Sequence, residues 1–238
     1  MKRVDSVISL IYSMSKAEKK AFSVQMLKDK EEKDYLVIYD IITKSKQLDS
    51  KNVKGEFHKR RPGGSFEVSI QYLYERLTDS LLTLRKKKDI YYDLLNNLCK
   101  ARMLYERSLF EECFEILSDT IEQATYYENN EVLTIALKLE LEYLLRLNFP
   151  NLAESELYHK HFMQNEALKK TRKIVEQSSL HNLLKYRLSH IGSIRTSKQK
   201  QDMNDLMVNE LSIAASSGIE GNFELMRNHR LFQANYLI

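Results

Sequence analysis

Glycine and proline are scarce, six and two respectively among 238 residues. A β-rich fold of that length needs many tight turns, which draw on both residues, so their scarcity excludes a sandwich or barrel. Tryptophan is absent, and the two cysteines, Cys99 and Cys113, stand 14 residues apart. A disulfide framework or a zinc site needs more cysteines or paired spacings, so both are expected to be buried small apolar residues. No apolar run approaches the roughly 20 residues that span a bilayer, and the stretch after Met1-Lys2-Arg3 is too short and polar for a signal peptide. What is abundant is Leu, Glu and Lys, all good helix formers. The expectation is an all-α, cytoplasmic protein that does not associate with membranes.

The net charge of +4 is unevenly placed. Residues 1–98 carry 20 Lys and Arg against 14 Asp and Glu, a balance of +6, and residues 99–238 carry 17 against 19, a balance of −2. The basic half is the N-terminal one.

Taken in order, the chain reads as a succession of helices. Val4, Val7, Ile8 and Ile11 share one face of a helix over 4–12. Ser15-Lys16-Ala17-Glu18 is a capping box that starts a second helix through Lys28, with Phe22 and Met26 inward. After a solvated connection at Asp29–Asp34, Tyr35–Lys46 reads as a largely buried helix. From Gln47 to Gly64 the pattern breaks and ends in the turn Pro62-Gly63-Gly64. Ser65 then caps a long helix whose apolar residues Phe66, Ile70, Leu73, Leu77, Leu81 and Leu84 recur at helical spacing. It ends on Arg85–Lys88, where cations favour the helix dipole. A boundary near Lys88 divides an N-terminal helical domain, residues 1–88, from residues 89–238.

The second part is organised by a repeat. Setting Leu104 on Leu144 aligns Cys99–Leu117 with Leu139–Leu157 without a gap at a period of 40 residues. Ala101 then meets Leu141, Ser108 meets Asn148, Cys113 meets Ala153, and Leu117 meets Leu157. Each half reads as an apolar helix, a short turn and a second helix, the pattern of a helical solenoid in which each unit stacks on its neighbour. The predicted pairs are Asp89–Tyr105 with Leu109–Tyr127, and Glu131–Leu147 with Leu152–Lys169, Pro150 fitting the first turn of the last. A third unit starts near Thr171 and places Leu184 another 40 residues beyond Leu144. Its register fails in a basic loop at Ile191–Gln201, after which Asp202–Ser216 closes the unit and Gly218 stops it. The last helix, Asn222–Ile238, ends on apolar residues with no polar cap. The expectation is that the chain is the front part of a longer array, or that this helix pairs with another subunit.

These hairpins resemble tetratricopeptide-like repeats. Ala101, Cys113 and Ala153 match that family's small positions, and Leu104, Phe110, Leu117, Leu144 and Leu157 its large ones. The sequence departs in lacking Trp and the first-helix glycine, and in its period of 40 rather than about 34. The stretches SMSKAEKKAF, DYLVIYDII and SIQYLYERLTDSLL also resemble the opening of uncharacterised helical-repeat proteins of Bacteroidetes-type bacteria. The resemblance implies a right-handed superhelix of helix pairs behind the N-terminal bundle.

Chemistry is sparse. Pro62-Gly63-Gly64-Ser65 lacks the length and the lysine of a phosphate-binding loop. His159 and His161 point about 200° apart on a helix and cannot share a metal. His58, His181, His190 and His229 have no acidic or cysteine partner at ligand spacing. Glu111-Glu112 and Glu140/Glu142 read as solvated helix faces. No nucleophile stands beside a base, so no enzyme, cofactor or metal is expected.

Two binding readings remain. The resemblance implies a concave groove lined by the first helix of each pair, here Arg102, Tyr105, Glu106, Glu142, Arg146, Asn182, Lys185 and Tyr186. Arg and Tyr suit an acidic or C-terminal peptide, Arg through bidentate pairing and Tyr through rigid amphipathic area. The first expectation is therefore a non-catalytic protein–protein interaction scaffold. The alternative is a transcription-regulator-like protein with a winged-helix-like N-terminal module. It would touch nucleic acid through the loop Lys59, Arg60, Arg61 beside His58 and the helix end Arg85, Lys86, Lys87, Lys88. Against this, Glu67, Glu75 and Asp79 on the same long helix suit a groove-reading surface poorly.

Overall fold

The computed structural model describes residues 2–26, 33–44, 49–86, 88–191, 196–216 and 222–236. Among them are eleven α-helices and no strand, so the fold is all-α. The helices are α1 (Lys2–Ser13), α2 (Lys16–Met26), α3 (Asp34–Lys44), α4 (Ser50–Arg60), α5 (Phe66–Lys86), α6 (Ile90–Glu106), α7 (Phe110–Tyr126), α8 (Asn130–Arg146), α9 (Glu154–Ile191), α10 (Ser197–Ser216) and α11 (Phe223–Tyr236). Several expectations lie outside the described residues: the Met26 side chain, Leu27–Lys28, most of the Asp29–Asp34 connection, Ser45–Leu48, Lys87, Gly192–Arg195, Gly218 and Leu237–Ile238. The chain divides into two compact units, Met1–Asp93 and Leu94–Ile238.

In the first unit the core forms where apolar faces converge on α3. That helix buries Tyr35, Val37, Ile38, Tyr39, Ile41 and Ile42, α1 adds Val4, Val7, Ile8 and Ile11, and α5 adds Phe66, Ile70, Leu73 and Leu77. The capping box at the start of α2 closes in both directions: the Ser15 N–H donates to Glu18 Oε2 at 2.8 Å, and the Glu18 N–H to Ser15 Oγ at 3.2 Å.

The predicted break at 47–64 is in part a helix. Asp49 caps α4, its Oδ1 accepting from the Asn52 N–H at 2.8 Å. Val53 and Phe57, one turn apart, are both fully buried in the core. The turn at Pro62-Gly63-Gly64 follows, and a Cβ on Gly64 would lie 2.9 Å from the Phe57 ring, so glycine is needed for that close approach.

In the second unit three successive helices end alike. The Leu109 N–H donates to the Leu104 carbonyl at 3.1 Å and that of Ser108 to Tyr105 at 3.0 Å; Phe149 and Asn148 do the same to Leu144 and Leu145, and Asn129 and Glu128 to Ala124 and Thr125. These are Schellman stops, and the residue at the left-handed position is Ser108 (φ 60°), Glu128 (φ 53°) or Asn148 (φ 56°). Ser108 and Asn148 are partners in the 40-residue alignment, and Glu128, which lies outside it, takes the same conformation. The left-handed conformation is costly for a residue with a Cβ. Ser108→Gly is expected to raise the unfolding free energy by about 0.5–1 kcal/mol, read as a higher midpoint in urea denaturation; an unchanged or lower midpoint would remove this account of the turn.

Three expectations for this unit are corrected. First, no break separates a second hairpin from a third unit at 169–171: α9 runs 38 residues from Glu154 to Ile191, about 57 Å. Nothing between Lys169 and Leu184 stops a helix, because the stretch holds no Gly, no Pro and no capping sequence. Second, Pro150 precedes α9 in an irregular turn with Phe149 and Asn151 both at positive φ, instead of standing in the helix's first turn. Third, residues 197–201 are helical. Thr196 and Gln199 form a capping box, each backbone N–H reaching the other's side chain at 3.1 Å. Leu184, Met203, Leu206 and Phe232 form the core where α9, α10 and α11 meet. Phe232 is thus buried inside its own chain, although the C-terminal helix was expected to leave its apolar residues uncapped; Leu231 stays exposed. Among the described residues no helix is long and apolar enough to cross a membrane.

Candidate functional site

Five side chains on α6 and α8 converge. Tyr105 and Tyr143 stack with ring centroids 3.7 Å apart and planes 7° from parallel. Tyr105 is also tilted against Phe110 at 5.3 Å. Around this stack lie Arg102, Glu142 and Arg146, close enough for their charges to act on the Tyr143 phenol. Burial raises the Tyr143 pKa, with Cys113 and Glu142 adding to the shift and the two arginines opposing it. Arg102 pairs with Glu106 at 3.4 Å and Arg146 with Glu142, each one turn along its own helix. Both guanidiniums remain open to solvent, with side chains 71% and 59% exposed. Such exposed pairs contribute only about 0.3–0.5 kcal/mol each, so an incoming carboxylate can take the arginine at little cost.

The remaining expected groove residues are not joined to this cluster. Asn182, Lys185 and Tyr186 are exposed on the C-terminal half of α9. Tyr186 stacks on His190 at 4.1 Å, and its carbonyl lies 2.9 Å from His190 Nδ1. Lys185 lies near His181, whose pKa is lowered first by burial and then by that ammonium. Tyr143 itself was missed: the 40-residue register sets it against Met103, which gives no aromatic signal.

The basic clusters of the first unit are largely answered by acids. Lys59 pairs with Glu56 at 2.7 Å, Arg60 with Asp40 at 3.0 Å, and Arg61 lies 3.6 Å from Asp34. Burial works to raise the Asp40 pKa, but hydrogen bonds from Lys44 and Arg60 outweigh it and hold the carboxyl below its usual range. Arg85 and Lys88 are exposed at the end of α5, Lys86 is half-buried, and Lys87 lies outside the described residues. Hydrogen bonding to Ser15 lowers the Glu18 pKa, and Arg85 and Lys88 lower it further.

Several polar residues were misjudged from spacing. Glu140 is not on a solvated face: it is buried and accepts from Lys160 of α9 at 2.8 Å. His229 has no acidic partner at ligand spacing in the sequence, but the fold brings one to it. Its Nδ1 lies 2.8 Å from Oε1 of the fully buried Glu210, which also accepts from the buried Gln177 amide at 3.0 Å. Asn228 donates to Ser178 beside them at 3.0 Å. This network ties α9, α10 and α11 together, and its members stand 33 and 19 residues apart, beyond any local pattern. Cys99 is exposed, although both cysteines were expected to be buried; burial raises the Cys113 thiol pKa. His159 and His161 are both on the surface, and among the described residues no three His, Cys, Asp or Glu side chains group as a metal site would require. Comparison with protein-family models, with curated proteins and with solved structures finds no match for the chain.

Proposed function

We propose that the chain is a non-catalytic interaction scaffold whose second unit is a degenerate tetratricopeptide-like right-handed solenoid. It holds an acidic or C-terminal peptide segment of a partner protein against α6 and α8. The observation that carries this reading is the exposed Arg102 and Arg146 beside the half-buried Tyr105, whose ring is held in place by stacking on the buried Tyr143. In this reading α6 and α8 are the first helices of successive hairpins, the position from which such an architecture presents its concave face. The like stops of α6, α7 and α8 at Ser108, Glu128 and Asn148 fit a run of helices joined by short, similar turns. Aromatic and arginine side chains supply most of the binding energy in such interfaces, the ring through area and the guanidinium through paired hydrogen bonds. The nucleic-acid reading draws less support, because the cations at 59–61 already face acids on α3 and α4.

The test is selection of short peptides with free carboxyl termini from a displayed library on the intact chain, followed by anisotropy titration of the enriched sequence. Acidic peptides are expected to enrich, and Arg102→Glu/Arg146→Glu to weaken binding at least about tenfold. Lys59→Glu/Arg60→Glu is the control and should leave binding unchanged. Peptides without acidic character, or equal affinity in the α6–α8 variant, would refute the scaffold reading. Steeply salt-dependent binding of random duplex DNA, lost in the control variant, would establish the rival.

A further inference from the structure

We infer that the first unit carries a small-molecule site for an amphiphilic anion, a carboxylate or sulfonate on an aryl or short acyl body. The site is a cavity of about 400 Å³ between α1, α4 and α5. Its floor is Val4, Phe66 and Ile70, core residues that are each 7% exposed or less. Its rim carries Arg3, Lys51 and Lys54. The volume falls at the small end of the roughly 300–1,000 Å³ typical of ligand pockets, enough for one ring system or a short chain.

The charge of the lining selects the sign of the ligand. Three cations face the cavity and one acid, Glu67, answers them. Glu67 is committed to Lys54: hydrogen bonding from that ammonium is the main cause of its lowered pKa. Lys54 also lies over the Phe66 ring at 5.7 Å, which holds that cation beside the apolar floor, and Arg3 lies over Tyr74 at 4.3 Å. Lys51 makes no ion pair among the described residues and is exposed. A neutral apolar molecule would fill the floor and leave this charge unanswered, and a small inorganic anion would leave the floor wet. An amphiphilic anion satisfies both. This site is separate from the proposed peptide surface, and each can fail without the other.

The experiment uses the full chain and 1-anilinonaphthalene-8-sulfonate as the fluorescent probe, its uncharged relative N-phenyl-1-naphthylamine as the charge control, and octanoate as competitor. The wild-type protein should bind the sulfonate at one saturable site from which octanoate displaces it. Gln71→Trp, at the half-buried mouth on α5, should block both naphthalenes while leaving the helical content and thermal midpoint unchanged. Lys51→Glu should weaken the sulfonate about tenfold and leave the neutral probe within about twofold. A signal that octanoate does not displace overturns the proposal, because it would report apolar surface elsewhere. So does undiminished sulfonate binding by Gln71→Trp, or equal weakening of both probes by Lys51→Glu.

Discussion

Phe57→Ala is expected to destabilise the first unit by about 3–5 kcal/mol. The ring is fully buried and packs against Phe66 with centroids 5.5 Å apart. Gly64 approaches it so closely that no Cβ fits between them, so the backbone around the ring has little room to collapse into the space it would leave. The loss goes beyond one contact, because α4 buries only Val53 and Phe57 and has little else to hold it to the unit. Native-state amide exchange resolved by helix is the right measurement, since two compact units need not unfold together. Opening free energies in α3, α4 and α5 should fall by that amount while those in α8 and α9 stay unchanged. A loss under about 1 kcal/mol would mean that α4 is an appendage, as a broken hydrophobic pattern implies.

That helix shows where the sequence stops being readable. The all-α class follows from composition, α1 and α5 follow from apolar residues recurring along one face, and α7 and α8 were read from the 40-residue alignment. In α4 two anchors one turn apart, separated by lysine, glycine and glutamate, give periodicity too little to count. The available signal was the cap at Asp49, three residues before Asn52, and Thr196–Gln199 gave the same signal for α10. In α9 the error runs the other way. A repeat register carried over from the first hairpin imposed a break where no residue stops a helix, and tertiary packing against α10 and α11 followed the continuous helix instead.

The candidate site was half legible. Arg102, Tyr105, Glu142 and Arg146 lie around one stack on α6 and α8, the two helices that the 40-residue offset sets side by side in sequence. Arg102 and Glu106 correspond in that register to Glu142 and Arg146, with the charges exchanged. Asn182, Lys185 and Tyr186 were assigned through a third hairpin that α9 replaces, so their mapping fell with it. Tyr143 and the Glu210–His229 pair were out of reach, since no sequence pattern reports which side chains meet across separate helices.

The largest effect expected in the second unit comes from Lys160→Met. Glu140 is 8% exposed and its partner Lys160 is 25% exposed. Only one carboxylate oxygen is bonded; among the described residues Oε2 has no hydrogen-bond partner. The pair is therefore poorly compensated for the water it gave up, and removing the ammonium alone leaves a buried charge with no partner. The expected cost is about 3 kcal/mol, at the low end for a broken buried pair because Lys160 keeps some solvent. Glu140→Leu/Lys160→Met removes both charges and fills the space with apolar side chains of similar size, so it should recover most or all of that loss. The cycle is read by urea denaturation and by amide exchange in α8 and α9, with Glu140→Leu completing it. Strong non-additivity would show that desolvation dominates the pair; additive losses, or a single-variant cost under about 1 kcal/mol, would show that solvent screens it. Because Glu140 lies one turn before Tyr143 on α8, the same variants separate stability from recognition. The double variant should keep the tyrosine stack and the proposed peptide affinity, whereas Lys160→Met alone should weaken binding only as far as it unfolds the unit.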